Sequence, residues 1–170
     1  QNVLSLSTPS FPRTAEVPLA PLALGLRLTA PEGDPGLRKA ARAGLFGRWT
    51  LPEHHLCITA GAKSALFSIL RSLSEGSVPV LIPAPAWPSY DDIVCLAGHV
   101  PVPLWTSPEQ GFRLDPAELA AALTATGARA VLLANPGNPT GRIATPEELD
   151  GAREACAAAG ALLVLDESFS

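Results

Sequence analysis

Four short stretches carry residue types that could act together: TAGAKSA (59–65), PAPAWPSY (83–90), ANPGNPTG (134–141) and LDESFS (165–170). In the first, a glycine opens what reads as a helix. The N–H groups of Gly61, Ala62 and Lys63 would face outward with the helix dipole behind them, an arrangement that binds phosphate; the same residues also make a plain tight turn with an exposed lysine. In the second, Trp87 sits between Pro85 and Pro88, which fix the local backbone. A flat indole held there can stack on a flat cofactor or pack into a core. In the third, Gly137 and Gly141 permit backbone angles closed to other residues. Asn138 precedes a proline, whose peptide bond can be cis at modest cost, so the loop can turn the amide back toward the strand ends; a solvated turn fits these residues too. In the fourth, Asp166 closes an apolar run. A buried carboxylate is costly unless paired, and its partner is either a protein cation or a protonated ring nitrogen of a ligand.

Each stretch must be positioned by the elements around it. HLCIT (55–59) reads as a strand and 62–73 as a helix; strands follow at 78–83, 99–104, 129–134 and 161–166, alternating with helices at 89–98, 116–126 and 146–160. The last of these helices is announced by Thr145 and Pro146. An earlier short helix begins near Pro35, after the turn residues Gly33 and Asp34. Alternation with strands that are apolar almost throughout implies a three-layer α/β fold, a mainly parallel sheet with helices on both faces. In such sheets ligands sit beyond the carboxyl ends of the strands, where these stretches fall. Residues 1–29, irregular and rich in proline, read as an arm lying across another surface or as disordered chain.

The bulk properties narrow the partner. At 170 residues, a chain of this size supports one substantial core. A net charge of -4 with 16% charged residues argues against nucleic acid and against a basic membrane-binding face. Cys57, Cys95 and Cys156 are odd in number and widely spaced, suggesting neither a disulfide framework nor a zinc site, and a reducing, cytoplasmic setting is expected. No apolar run reaches the roughly 18–20 residues of a membrane span. The chain starts at Gln1, contains no methionine and stops just after a strong strand, so it reads as incomplete at both ends.

Taken jointly and in order, LSLSTPSFP, EGDPGLRKAA, ITAGAKSALF, PAPAWPSY, NPGNPTG and LDESF resemble the pyridoxal-phosphate enzymes of the aspartate-aminotransferase fold, the class I/II aminotransferases. GAKSALF and AWPSY look closest to the bacterial aspartate and aromatic branch. The resemblance implies an enzyme that moves an amino group between an amino acid and a 2-oxo acid, working as a homodimer. Residues 1–29 would be its N-terminal arm and 30–170 the first part of its cofactor-binding large domain. It also implies that Gly61, Ala62 and Lys63 bind the phosphate of pyridoxal 5'-phosphate and that Trp87 stacks on its ring. Asn138 would donate to the phenolic oxygen, Asp166 would pair with the ring nitrogen, and Tyr90 would support Asp166. Asp166, Asn138 and Trp87 would then be the catalytic set. Such a cofactor is an electron sink only while its ring nitrogen keeps a proton, which a neighbouring carboxylate favours where water is excluded.

Three positions depart from the family pattern. Phe169 stands where a tyrosine usually gives a second donor to the phenolic oxygen, so a less stabilised phenolate is expected. Leu28 stands near a tyrosine that commonly reaches a neighbouring subunit's phosphate, and Ser7 replaces a glycine on the substrate side. The lysine that such enzymes attach to the cofactor is expected roughly 30 or more residues beyond Asp166, and Lys39 and Lys63 do not match its position. The chain alone is therefore expected to be inactive. A decarboxylase or lyase on the same scaffold, or a relic without the lysine, are the alternative expectations.

Overall fold

The computed structural model describes residues 30–45, 52, 55–74 and 76–169. The arm at 1–29, with Ser7 and Leu28, lies outside them.

The helices start and stop where the local chemistry says they should. Helix α1 covers Pro35–Leu45 and α2 Ala62–Arg71; strand β1 covers Pro79–Ala84, α3 Ser89–Leu96 and β2 Val100–Trp105. After a short 3-10 turn come α4 (Pro116–Thr126), β3 (Ala130–Ala134), α5 (Pro146–Ala159) and β4 (Leu162–Asp166). In α4, Asp115 accepts from Ala117 N at 2.8 Å with Pro116 next to it, and the helix ends on Gly127 at φ 65°. In α5, Thr145 and Glu148 form a reciprocal capping box.

All strand pairs are parallel, in the order β2-β1-β3-β4. Alternation along the strands sorts residues to two helical layers. Val80, Ile82, Leu132 and Val164 pack under α2 and α3, while Leu81 and Val131 pack under α4 and α5. This is the expected three-layer arrangement. Strand β2 accommodates Pro101 and Pro103 because it is an edge. Val100 N donates to Val78 O, just before β1, and Thr106 N to Ala84 O at its end, so the odd-numbered positions of β2 turn away from β1, where a missing N–H costs no ladder bond.

The chain runs outward from β1 to β2 and then returns to the other side of β1 for β3, which puts the reversal of strand order between β1 and β3. The β1–β3 ladder pairs only Val80 with Ala130 and Leu81 with Val131. Arg129 N donates to Pro79 O, so odd positions of β1 face β3, and at Pro83 there is no donor to extend the ladder. The hydrogen-bonded ladder between the two strands therefore stops short of their carboxyl ends. A crevice at such a reversal is where open α/β sheets bind ligands.

The segment at 55–59 corrects the sequence reading, for it is not a strand. Its backbone is used elsewhere: Ile58 N donates to Glu32 O at 2.9 Å and Leu56 O accepts from Arg38 Nε at 3.0 Å. Gly33, at φ +100°, lets Ile58 close in, since a Cβ there would lie 2.6 Å from the Ile58 Cβ. An apolar run bound to a turn and a helix has no strand partner, whatever its propensity.

Candidate cofactor-binding site

Helix α2 differs from α4 and α5 at its start. Its N-cap is Gly61, at φ 85°, with no side-chain cap. The first-turn N–H groups around Ala62 and Lys63 therefore point out of the helix end without a side-chain acceptor, while Gly61, Ala62 and Lys63 are exposed. An anion would satisfy them and meet the positive end of the dipole.

From Lys63 a continuous line of contacts crosses the strand ends. The Lys63 ammonium lies 4.9 Å from the centre of the Trp87 ring, within cation–π range. Trp87 meets Tyr90 edge to face, with centroids 5.4 Å apart and planes at 87°. The Tyr90 hydroxyl donates to Asp166 Oδ2 at 2.7 Å, joining residues 76 apart in sequence. Asp166 Oδ1 accepts from Ser168 N at 3.1 Å and from the Ser168 hydroxyl. Burial above all, then the bond to Asp166 and its charge, push the Tyr90 phenol well above its ordinary value, so it stays protonated and remains a donor.

Within the protein, Asp166 is held by Tyr90 and Ser168 and not by the protein cation that was one of the two expected partners. Neutral hydroxyl and amide donors hold it, and no cation pairs with it among the described residues. Both oxygens are oriented while the negative charge is left uncompensated, in a partly buried position at the end of β4.

The loop after β3 places two asparagines differently. Asn135 is used by the fold: its N donates to Asp166 O at 2.9 Å, and its Oδ1 accepts from Ala144 N at 2.9 Å. Asn138 has no hydrogen bond to its carboxamide among the described residues, although it is only partly exposed. It lines a small cavity of about 50 Å³ with Pro83, Pro85, Ala86 and Leu133, at the mouth of the β1–β3 crevice. The Ala84–Pro85, Asn135–Pro136 and Asn138–Pro139 peptide bonds are cis. Phe169 lies in the turn after β4 with 62% of its surface exposed.

The fold therefore gathers Lys63, Trp87, Tyr90 and Asp166 into one chain of contacts, while Asn138 lines a cavity with the ends of β1 and β3. Sequence reading missed Ser168 as a partner of Asp166, and missed Asn135 and Glu148 as loop anchors. Only Glu148 left a local signal, the T-x-x-E spacing from Thr145. Among the described residues no group of His, Cys, Asp and Glu could hold a metal ion, and no helix is long and apolar enough to cross a membrane.

Comparison with known proteins identifies the family. The family model for aminotransferase class I and II matches residues 26–170. The chain is 40% identical over 112 residues to an aspartate aminotransferase of Geobacillus stearothermophilus, covering 66% of this chain and 28% of that protein. It is 34% identical over 142 residues to a probable aspartate/prephenate aminotransferase of Thermus aquaticus, covering 82% and 37%. Among solved structures, the aspartate aminotransferase of Thermus thermophilus with maleate superposes with a TM-score of 0.75 at 30% identity, covering 83% of this chain and 37% of that one. The chain thus spans well under half the length of these relatives. With the fold, the strand-end chemistry and the matched span in agreement, the chain belongs to the class I and II aminotransferase family.

Proposed function

We propose that this chain supplies the first part of the cofactor-binding domain of a pyridoxal 5'-phosphate-dependent aminotransferase, which exchanges an amino group between an amino acid and a 2-oxo acid. Residues 30–170 form that part of the domain and residues 1–29 an arm, in a cytoplasmic homodimer. The observation that carries the reading is the uncompensated but doubly oriented carboxylate of Asp166, joined through Tyr90 and Trp87 to the open end of α2.

The residues present fit this cofactor in charge and shape. The first-turn N–H groups of α2 and the Lys63 ammonium would hold its phosphate, a dianion suited to a helix N-terminus. The Trp87 indole offers a flat face for its ring. Asp166 would keep a proton on the ring nitrogen, and Tyr90 would keep Asp166 facing that proton. The Asn138 carboxamide, without a hydrogen-bond partner among the described residues, would donate to the phenolic oxygen. Phe169 supplies no hydroxyl, which leaves Asn138 as this chain's donor to that oxygen. When bound, pyridoxal phosphate supplies the electron sink for breaking bonds at the amino acid's α-carbon. The maleate of the Thermus thermophilus structure, a dicarboxylate, supports an acidic amino acid as one substrate.

The test is made with the full-length protein and pyridoxal phosphate. Given an amino donor and a 2-oxo acid, it should yield the amino acid corresponding to that 2-oxo acid, in step with consumption of the donor. Release of carbon dioxide or ammonia in place of a new amino acid would instead establish a decarboxylase or a lyase.

A further inference from the structure

The loop that carries Asn138 is closed on itself and then tied to α5 by charge. Gly137 N donates to Arg142 O at 2.7 Å and Gly141 N to Gly137 O at 2.7 Å, so the segment from 137 to 142 is a pinched turn with Asn138 inside it. Its tightness is steric as well, because a Cβ at Gly137 would lie 2.5 Å from Thr140 Oγ1. Such a turn can still pivot as a unit on its stem. Asn135 Oδ1, accepting from Ala144 N, fixes the stem, and the Arg142 side chain ties the turn itself to α5: its Nη2 reaches Glu148 Oε1 at 2.7 Å and Oε2 at 2.8 Å. The two side chains are 23% and 11% exposed, so solvent screens the pair only partly. Glu148 is itself immobilised, since its Oε2 also accepts from Thr145 N at 2.9 Å at the start of α5. Arg142, Glu148 and Asn138 line one cavity.

We infer that Arg142 and Glu148 are positioning residues whose ion pair sets the angle at which Asn138 presents its carboxamide to the phenolic oxygen of the ligand. The inference rests on the role given to Asn138 above. A hydrogen bond to a developing or full oxyanion depends steeply on direction. A pivot of the turn that leaves the fold intact is therefore enough to weaken it. Arginine suits the task because it holds one donor group against both oxygens of a fixed carboxylate, which a lysine ammonium on a flexible stem does less rigidly.

The experiment uses the full-length protein loaded with pyridoxal phosphate, and reads the pH midpoint of the bound cofactor's visible absorbance together with its dissociation constant. Variants Arg142→Met and Glu148→Gln are compared with wild type, each in the presence and absence of Asn138→Ala. Glutamine at 148 can still serve the capping box, so helix α5 keeps its start while the ion pair is lost. Each single variant should raise the midpoint by about half a pH unit and weaken cofactor binding several-fold, with melting temperature recorded to confirm folding. In the Asn138→Ala background neither should move the midpoint further, because a purely structural role would add while a role through Asn138 cannot. Arg142→Lys should restore part of the shift. Wild-type midpoints in both single variants, or equal shifts with and without Asn138, overturn the inference. An Asn138→Ala protein with an unaltered midpoint overturns instead the role of Asn138, and a wild-type protein that takes up no pyridoxal phosphate overturns the proposed function.

Discussion

The proposed role of Asp166 rests on how Tyr90 and Ser168 hold its carboxylate. A carboxylate that had found an arginine would be settled; one held by neutral donors is oriented but still attracts a cation. Replacing Tyr90 by phenylalanine removes the donor to Oδ2. We expect that change to cost about 1.5–3 kcal/mol of folding stability, the usual worth of a hydrogen bond to a charged group, measured by denaturant titration. It should also weaken pyridoxal phosphate binding. No loss in either measurement would remove Tyr90 from the account. Phe169 gives a second test. Phe169→Tyr in the full-length protein should supply a further donor to the phenolic oxygen and lower the pH midpoint of the bound cofactor's absorbance. An unchanged midpoint would mean that position 169 does not face that oxygen. Of these residues, the sequence displayed the identities and the order. It did not display the 2.7 Å contact between Tyr90 and Asp166, which depends on β1 and β4 lying two strands apart in one sheet.

Among the elements, helix starts differ in how they are capped, and α3, like α2, has no side-chain cap. Helices α4 and α5 are closed by Asp115 and by Thr145 with Glu148, whereas α2 begins on a glycine and stays open. Thr145→Ala should cost about 1 kcal/mol through loss of the cap, read by chemical denaturation, while a Gly61 substitution would strain a backbone at φ 85°. Acid offers an independent check on α5. Burial works to raise the Glu148 carboxyl, but the Arg142 bond and the Thr145 N–H outweigh it, and the group is held below its ordinary 4.5. A carboxyl lowered in the folded state stabilises fully above its unfolded value and loses that contribution as pH falls through the folded one. The Glu148 contribution should therefore be intact above about pH 5 and should fade on further acidification; in Glu148→Gln that part of the acid dependence should vanish. The helices and the four sheet strands could be placed from sequence to within one or two residues because period and caps are local signals. The segment at 55–59 could not, because its partners are a turn near Glu32 and the side chain of Arg38, which no local pattern announces.

For the molecule as a whole, the site is a consequence of topology. The strand order reverses between β1 and β3, and the missing N–H of Pro83 ends the ladder between them there. The layers depend on full burial: Leu119, at 0% exposure under the sheet, should cost about 2–5 kcal/mol when changed to alanine, a large share of a domain's usual 5–15 kcal/mol. A cost under 1 kcal/mol in denaturant would show that the α4 layer is not packed as described. The core lay open to sequence reading, since strands apolar on both faces have only one home. The crevice did not, since strand order is not written in any one strand. All of this converges on the charge state of one nitrogen. Pyridoxal phosphate labelled with nitrogen-15 in its ring, bound to the full-length protein, reports that state directly by nuclear magnetic resonance. The account predicts a protonated ring nitrogen at neutral pH in wild type and its loss in Asp166→Asn. A ring nitrogen without a proton in wild type, or one that keeps its proton after Asp166 is replaced, would contradict it.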